Sequence, residues 1–253
     1  MGQYKDHKNN IIKLIHEAAG RFHEWEIYSS FLELAAISIS NAVDWTQAPE
    51  REKTYLEIIS RFNNREAEIF PKILAELVQA LGCELADCLG SIYNELEFSN
   101  KWTGQFFTPI DISKMMGAMV IHDAVEELNR KGYITVSEPT CGGGSTIIGL
   151  AQAMAEKGLN YQKQMVVTAV DIDIKSVAMT YLQLSLLGIP AVVIHGNSLT
   201  VKEYSHWYTP MYILDGWQHK LFLARATEKI ESIANQNMMI SDESKPEEMK
   251  PAV

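Results

Sequence analysis

The chain has 253 residues, of which 47% are hydrophobic, and its 22 Lys and Arg face 32 Asp and Glu for a net charge of −10. That length suits one sizeable α/β domain with a smaller module, in a composition typical of globular proteins. The acidity speaks against a free-standing nucleic-acid binder, because neutralising phosphates takes clustered Lys and Arg; such a role calls for a local basic groove or a partner. No apolar run reaches the roughly 18 residues of a membrane span. The opening MGQYKDHKNN lacks a signal-peptide core, and Asp6 breaks a myristoylation pattern, so a cytoplasmic location is the expectation. Cys83, Cys88 and Cys141 make neither a disulfide framework nor a zinc spacing; Cys83 and Cys88 read as small buried apolar side chains.

Residues 1–100 read as a helical domain. Leu14, Ile15 and Ala18 form one stripe, and Phe31, Leu34, Ala35 and Ile39 another. Thr46 is placed to cap a helix over 47–62, with Pro49 near its start. A third helix is predicted over 65–81 with Gly82 as its stop, and a fourth over 86–96. Residues 101–236 change character. Asp111 opens a helix with Met115, Met116, Met119 and Val120 on its apolar side, ended by Gly132. Strands are predicted at 133–137, 165–170, 191–194 and 211–214, with helices at 145–156, 174–187 and 218–235 between and after them. The alternation implies a parallel sheet covered on both faces, with ligands at the carboxyl ends of the strands. Residues 237–253 read as a polar, disordered tail.

The central signal is Glu138-Pro139-Thr140-Cys141-Gly142-Gly143-Gly144-Ser145, set between a strand and a helix. Glycines there permit a tight turn and close ligand approach, and the helix start offers free N–H groups to an anion. The next strand ends at Asp171, where a carboxylate accepts ribose hydroxyls. Loop and acid together point to an adenosine-containing cofactor. The pattern is neither G-x-G-x-x-G nor a P-loop, which argues against a nicotinamide dinucleotide and against ATP hydrolysis. His195, His206 and His219 lack metal spacing, and no metal site is assigned. Ser145 and Ser198 lack a His and Asp arrangement for a hydrolase.

Several segments resemble a known family. Gly104-Gln105-Phe106-Phe107-Thr108-Pro109 is similar to the segment preceding the S-adenosylmethionine (SAM) loop of N6-adenine DNA methyltransferases, in particular the modification subunits of type I restriction systems. Residues 138–144 resemble that family's Asp-Pro-Ala-Cys-Gly-x-Gly loop, Ala169-Val170-Asp171 its Gly-x-Glu strand end, and Gly196-Asn197-Ser198-Leu199 its Gly-Asp-Thr-Leu. The resemblance covers about residues 84–200. It implies a Rossmann-like SAM-dependent methyltransferase sheet, truncated, behind a helical N-terminal domain. It also implies SAM as cofactor, with Phe107, Thr108, Glu138 and Thr140 bordering it and Gly142 and Gly144 under its methionine. Asp171 would hold the ribose and Asn197 the adenine.

The family's Asn/Asp-Pro-Pro-Tyr/Phe signature is missing, since the chain contains no Pro-Pro. Leu214-Asp215-Gly216-Trp217 stands in its place. There Asp215 is either the acceptor for a target amino group or a turn-forming residue, and Trp217 is the candidate stacking partner of a flipped base. Trp207, Tyr208 and Tyr212 offer a base-stacking surface or, the preferred reading, cover a sheet edge. Only one helix is expected after the fourth strand, without the family's target-recognition region. Two functions follow: methyl transfer to adenine N6 in DNA, probing its target through a recognition subunit or oligomer, or a catalytically inactive SAM-binding homologue acting as a regulatory or decoy subunit.

Overall fold

The computed structural model describes residues 2–98 and 107–243, with backbone alone at 122–123 and 231–243. It divides into a compact unit through Asp215 and a second from Gly216 onward.

The first unit opens with six helices: α1 (Gly2–Ala18), α2 (Glu24–Val43), α3 (Ala48–Ile59), α4 (Asn64–Ala67), α5 (Ile69–Cys83) and α6 (Cys88–Glu95). Ile11 and Ile15 of α1, Tyr28, Phe31 and Leu32 of α2, and Ile73 and Leu77 of α5 are fully buried and belong to one core with the sheet residues. Local details differ from the sequence expectation. The hydroxyl of Thr46 donates to Asp44 at 2.6 Å instead of capping α3, which starts behind Gln47. The helix expected over 65–81 is two helices: the short α4 starts on a reciprocal capping box of Asn63 and Glu66 and ends at Ala67, and α5 begins at Ile69. Gly82 lies inside α5 and does not stop it. Cys83 is exposed, whereas Cys88 is buried as expected.

Strands β1 (Ile134–Glu138), β2 (Met165–Asp171) and β3 (Ala191–Asn197) are parallel, and β4 (Lys202–Tyr208) runs antiparallel to β3, in spatial order β1-β2-β3-β4. Between them run α8 (Ser145–Glu156), the short α9 (Tyr161–Gln164) and α10 (Ile174–Leu186). Val167, Ala169 and Val193 are buried, while Thr135, Ser137 and Thr168 are exposed. The expected coverage of both faces is therefore incomplete: small hydroxyl side chains let part of one face meet water, as antiparallel sheets do.

The fourth strand is not where the sequence placed it. Met211–Leu214 belongs to a helix, α11 (Pro210–Leu214). Pro210 presets the first helical residue. The fully buried Thr209 anchors the turn, its hydroxyl accepting from Ala191 N at 2.8 Å and donating to Ile189 O at 2.9 Å. The actual β4 is tied to the helices by Arg51, which donates to His206 O at 2.7 Å, pairs with Asp44 at 3.2 Å and lies 4.0 Å over the Trp207 ring. Tyr208 and Tyr212 stack at 5.5 Å nearby.

Helix α7 (Ile110–Lys131) crosses α8 with the backbones in contact. A Cβ on Gly117 would stand 2.7 Å from Leu150 Cα, and one on Gly149 would stand 2.4 Å from Ser113 C. The small residues therefore face α8. Met115, Met116, Met119 and Val120 are 46–67% exposed, opposite to the expected inward orientation.

The second unit is α12 (Trp217–Glu243), one helix that runs into the segment read from sequence as a tail; residues 244–253 lie outside the described residues. Among the described residues, no helix is long and apolar enough to cross a membrane.

Candidate cofactor site

The site forms at the carboxyl ends of β1, β2 and β3. After β1 the chain turns through Gly142 (φ 51°) and Gly144 (φ 86°), both left-handed conformations that favour glycine. Gly144 precedes α8 without any side-chain cap, so the N–H groups of the first turn have no side-chain acceptor. The space over the loop is tight: a Cβ on Gly142 would lie 2.9 Å from the Phe107 ring, which packs on Tyr93 at 4.5 Å.

The loop is held from several sides. Gly142 N donates to Asp171 Oδ2 at 2.8 Å and Cys141 N to Val170 O at 2.9 Å. Glu138 accepts from Thr140 N at 3.3 Å and from the Thr146 hydroxyl at 2.7 Å, so its carboxylate closes the loop on itself. Ser145 Oγ donates to Thr108 O at 2.9 Å and lies 2.9 Å from Ser113 Oγ, which joins the loop to the start of α7. Beneath it, Gln183 donates to Gly143 O and to Asp87 Oδ1, each at 2.8 Å, and accepts from Leu89 N at 3.0 Å. Thr180 Oγ1 donates to Gly142 O at 2.8 Å.

Asp87, Thr180 and Gln183 were not singled out from the sequence, though two signals were there. Asp87 precedes α6 as its cap, donated to by Gly90 N at 2.8 Å, and Gln183 is an amide in the apolar stretch of α10. Burial pushes the Asp87 carboxyl up, partly offset by its bonds from Gln183 and Gly90. Burial also pushes up the Cys141 thiol.

Asp171 ends β2 at 8% exposure. Its Oδ1 accepts from Asp173 N at 2.9 Å and its Oδ2 from Gly142 N. Burial raises its pKa above the usual carboxylate value, and these backbone bonds pull it back. Each oxygen keeps a further lone pair. Asn197 ends β3, and its Oδ1 accepts from Leu199 N at 3.0 Å and Thr200 N at 3.1 Å. That turn consumes the acceptor and leaves the Nδ2 donors.

Phe107, Thr108, Glu138, Thr140, Gly142, Gly144 and Asp171 thus converge on one loop, with Asn197 at the neighbouring strand end. Gly104, Gln105 and Phe106 lie outside the described residues. Asp215 follows α11 as its last capping residue, its N–H donating to Met211 O at 3.2 Å, and it does not follow a strand. Trp217 is the first residue of α12, in the second unit. Among the described residues, no group of three or more His, Cys, Asp or Glu is placed to hold a metal ion.

A βαβ core with a glycine loop at an uncapped helix start, and an acid at the next strand end, defines a Rossmann-like α/β protein of the methyltransferase class. The chain belongs to the N-6 DNA methylase family, whose model, described as N-6 DNA Methylase, matches residues 85–217, more than half of the sequence. No curated protein matches it. Among solved structures it is similar to a type I restriction-modification system methyltransferase subunit from Streptococcus thermophilus, with 17% identity and a TM-score of 0.39 over 68% of this chain. The chain spans 39% of that subunit's length.

Proposed function

We propose that the chain is a SAM-binding, adenine-N6 DNA methyltransferase-like protein. The observation that carries this reading is the glycine loop held by Asp171 at the uncapped start of α8. The residues fit the cofactor: the left-handed glycines keep a Cβ out of the cradle, the first-turn N–H groups of α8 suit the methionine carboxylate, and Asp171 retains lone pairs for ribose hydroxyls. Asn197 fits in a changed role, as a donor to an adenine ring nitrogen in place of the family's acceptor. Phe107 flanks the loop. Bound SAM supplies an electrophilic methyl group on a sulfonium.

Transfer to adenine N6 would draw on Asp215 as acceptor for the amino group and Trp217 as stacking partner. A second reading, a SAM-binding subunit without turnover that regulates or competes with an active methylase, is favoured by α11 standing where the family's catalytic strand ends. In either case DNA recognition falls to a partner subunit, since the net charge is −10. A transfer assay with methyl-tritiated SAM on mixed duplex DNA, with SAM retention measured in parallel, separates the two. Label in DNA that Asp215→Ala abolishes supports the enzyme. Retained SAM with no label in DNA supports the subunit without turnover. Neither retention nor label refutes both.

A further inference from the structure

Two polar side chains stand on α10 among buried apolar ones. Thr180 and Gln183 are each fully buried and lie one turn apart, so they share one side of the helix. Both reach the glycine loop from beneath: Thr180 donates to Gly142 O and Gln183 to Gly143 O, each at 2.8 Å. Two successive carbonyls of the loop are thus turned down into the protein. No peptide bond among the described residues is cis, and in a trans peptide the N–H points opposite to the C=O of the same unit. The N–H groups of Gly143 and Gly144 are therefore turned up, away from α10. Gly144 N closes the tight turn of the loop on Cys141 O at 2.7 Å. Gly143 N has no hydrogen-bond partner among the described residues, although the residue is buried. Orphaned amide donors of this kind are rare in folded proteins, and a bound acceptor is one way to satisfy them.

We propose that Thr180 is a positioning residue for the cofactor: by holding Gly142 O it aims Gly143 N–H at the methionine carboxylate of SAM. On the cofactor reading above, on which this rests, Gly143 N–H is a donor beyond those of the first turn of α8, and Thr180 is what orients it. Gln183 fixes the following peptide in the same way. Its amide has one orientation open to it, because Oε1 accepts from Leu89 N at 3.0 Å while Nε2 donates to Asp87 Oδ1 at 2.8 Å. That leaves the second Nε2 proton for Gly143 O, so the cap of α6 sets the amide that sets the loop. The loop also rests directly on the threonine, since a Cβ on Gly144 would lie 3.2 Å from Thr180 Oγ1. Valine at position 180 has the shape of threonine without its donor. It leaves Gly142 O free to turn, and Gly143 N–H turns with it.

The test is calorimetric and uses the full chain with two ligands, SAM and decarboxylated SAM. The second keeps the adenosine, the sulfonium and the amino group and lacks only the carboxylate. The natural sequence binds SAM the more tightly of the two. Thr180→Val lowers SAM affinity roughly tenfold or more and leaves decarboxylated SAM within about twofold, so the preference collapses, because only the bond to the carboxylate is lost. Thr180→Ser keeps the hydroxyl and retains the preference. If Thr180→Val does not fold, the natural protein grown with isotopically labelled glycine decides by magnetic resonance: the Gly143 amide proton moves downfield with SAM and stays in place with decarboxylated SAM. The proposal is overturned by an equal loss of both ligands in Thr180→Val, by a preference that survives that change or is absent from the natural chain, or by a Gly143 amide that responds alike to both. A natural chain that binds neither ligand refutes the cofactor reading itself.

Discussion

Replacing Asp171 separates its two tasks, holding the loop and holding the cofactor. Asp171→Ala removes the acceptor of Gly142 N at 2.8 Å and of Asp173 N at 2.9 Å, in a site only 8% exposed. A charge-assisted hydrogen bond to a ribose hydroxyl is worth about 1.5–3 kcal/mol, so SAM affinity measured by calorimetry should fall roughly 10- to 150-fold. The stranded Gly142 N–H costs about 1–3 kcal/mol of stability, visible as a lower Tm. Asp171→Asn keeps one acceptor oxygen and so more of the stability, but loses the charge. The pH dependence has a defined sign. Because burial raises the folded carboxyl above its unfolded value, folding takes up a proton between the two values; stability declines with rising pH across that window and then levels. SAM binding moves the other way, strengthening as the carboxyl ionises and becoming flat at higher pH, and Asp171→Asn removes this dependence. Unchanged affinity in Asp171→Ala, with the protein folded, would refute the assignment of the ribose acid.

Gly142→Ala should lose SAM binding, because its Cβ meets the Phe107 ring at 2.9 Å on top of a left-handed backbone penalty of about 1–2 kcal/mol. Gly132→Ala, with a similar φ of 78° and open space around it, should lose a comparable amount of stability with SAM affinity intact. Arg51→Ala leaves Asp44 buried without its partner and should cost about 3–5 kcal/mol by denaturant unfolding; a change under about 1 kcal/mol would mean that β4 is held by other contacts. In a gel shift at about 150 mM salt, the isolated protein should retain little duplex DNA, and tight binding would reveal a basic groove within the acidic whole.

The parts of the fold that were legible in the sequence are those where one local signal dominates. Ser145–Glu156 was readable because glycines precede it and an apolar run fills it, and Met165–Asp171 because five of its seven residues are apolar. Met211–Leu214 misled because the run is β-prone, whereas Thr209-Pro210 starts a helix and the buried Thr209 fixes that turn. The true strand, Lys202–Tyr208, mixes charged and aromatic residues, and its place depends on Arg51 more than 150 residues earlier, a contact that no local pattern contains. The methionine face of α7 points outward for a related reason: Gly117 and Gly149 set how closely α7 and α8 approach, and an approach that close favours small residues at the contact over large ones. In the site, glycines and Asp171 were visible as motif. The support from Asp87 and Gln183 was not, because it joins residues 96 positions apart. The change of Asn197 from acceptor to donor followed only once its turn was seen.

The central claim, that the loop after β1 holds SAM, is tested most directly by titrating the natural protein with SAM in a calorimeter, with S-adenosylhomocysteine as competitor and Gly142→Ala as control. The account predicts a saturable heat at one site per chain, displaced by the competitor and absent in Gly142→Ala. No heat and no thermal shift with millimolar ligand, or binding that Gly142→Ala leaves unchanged, would contradict it.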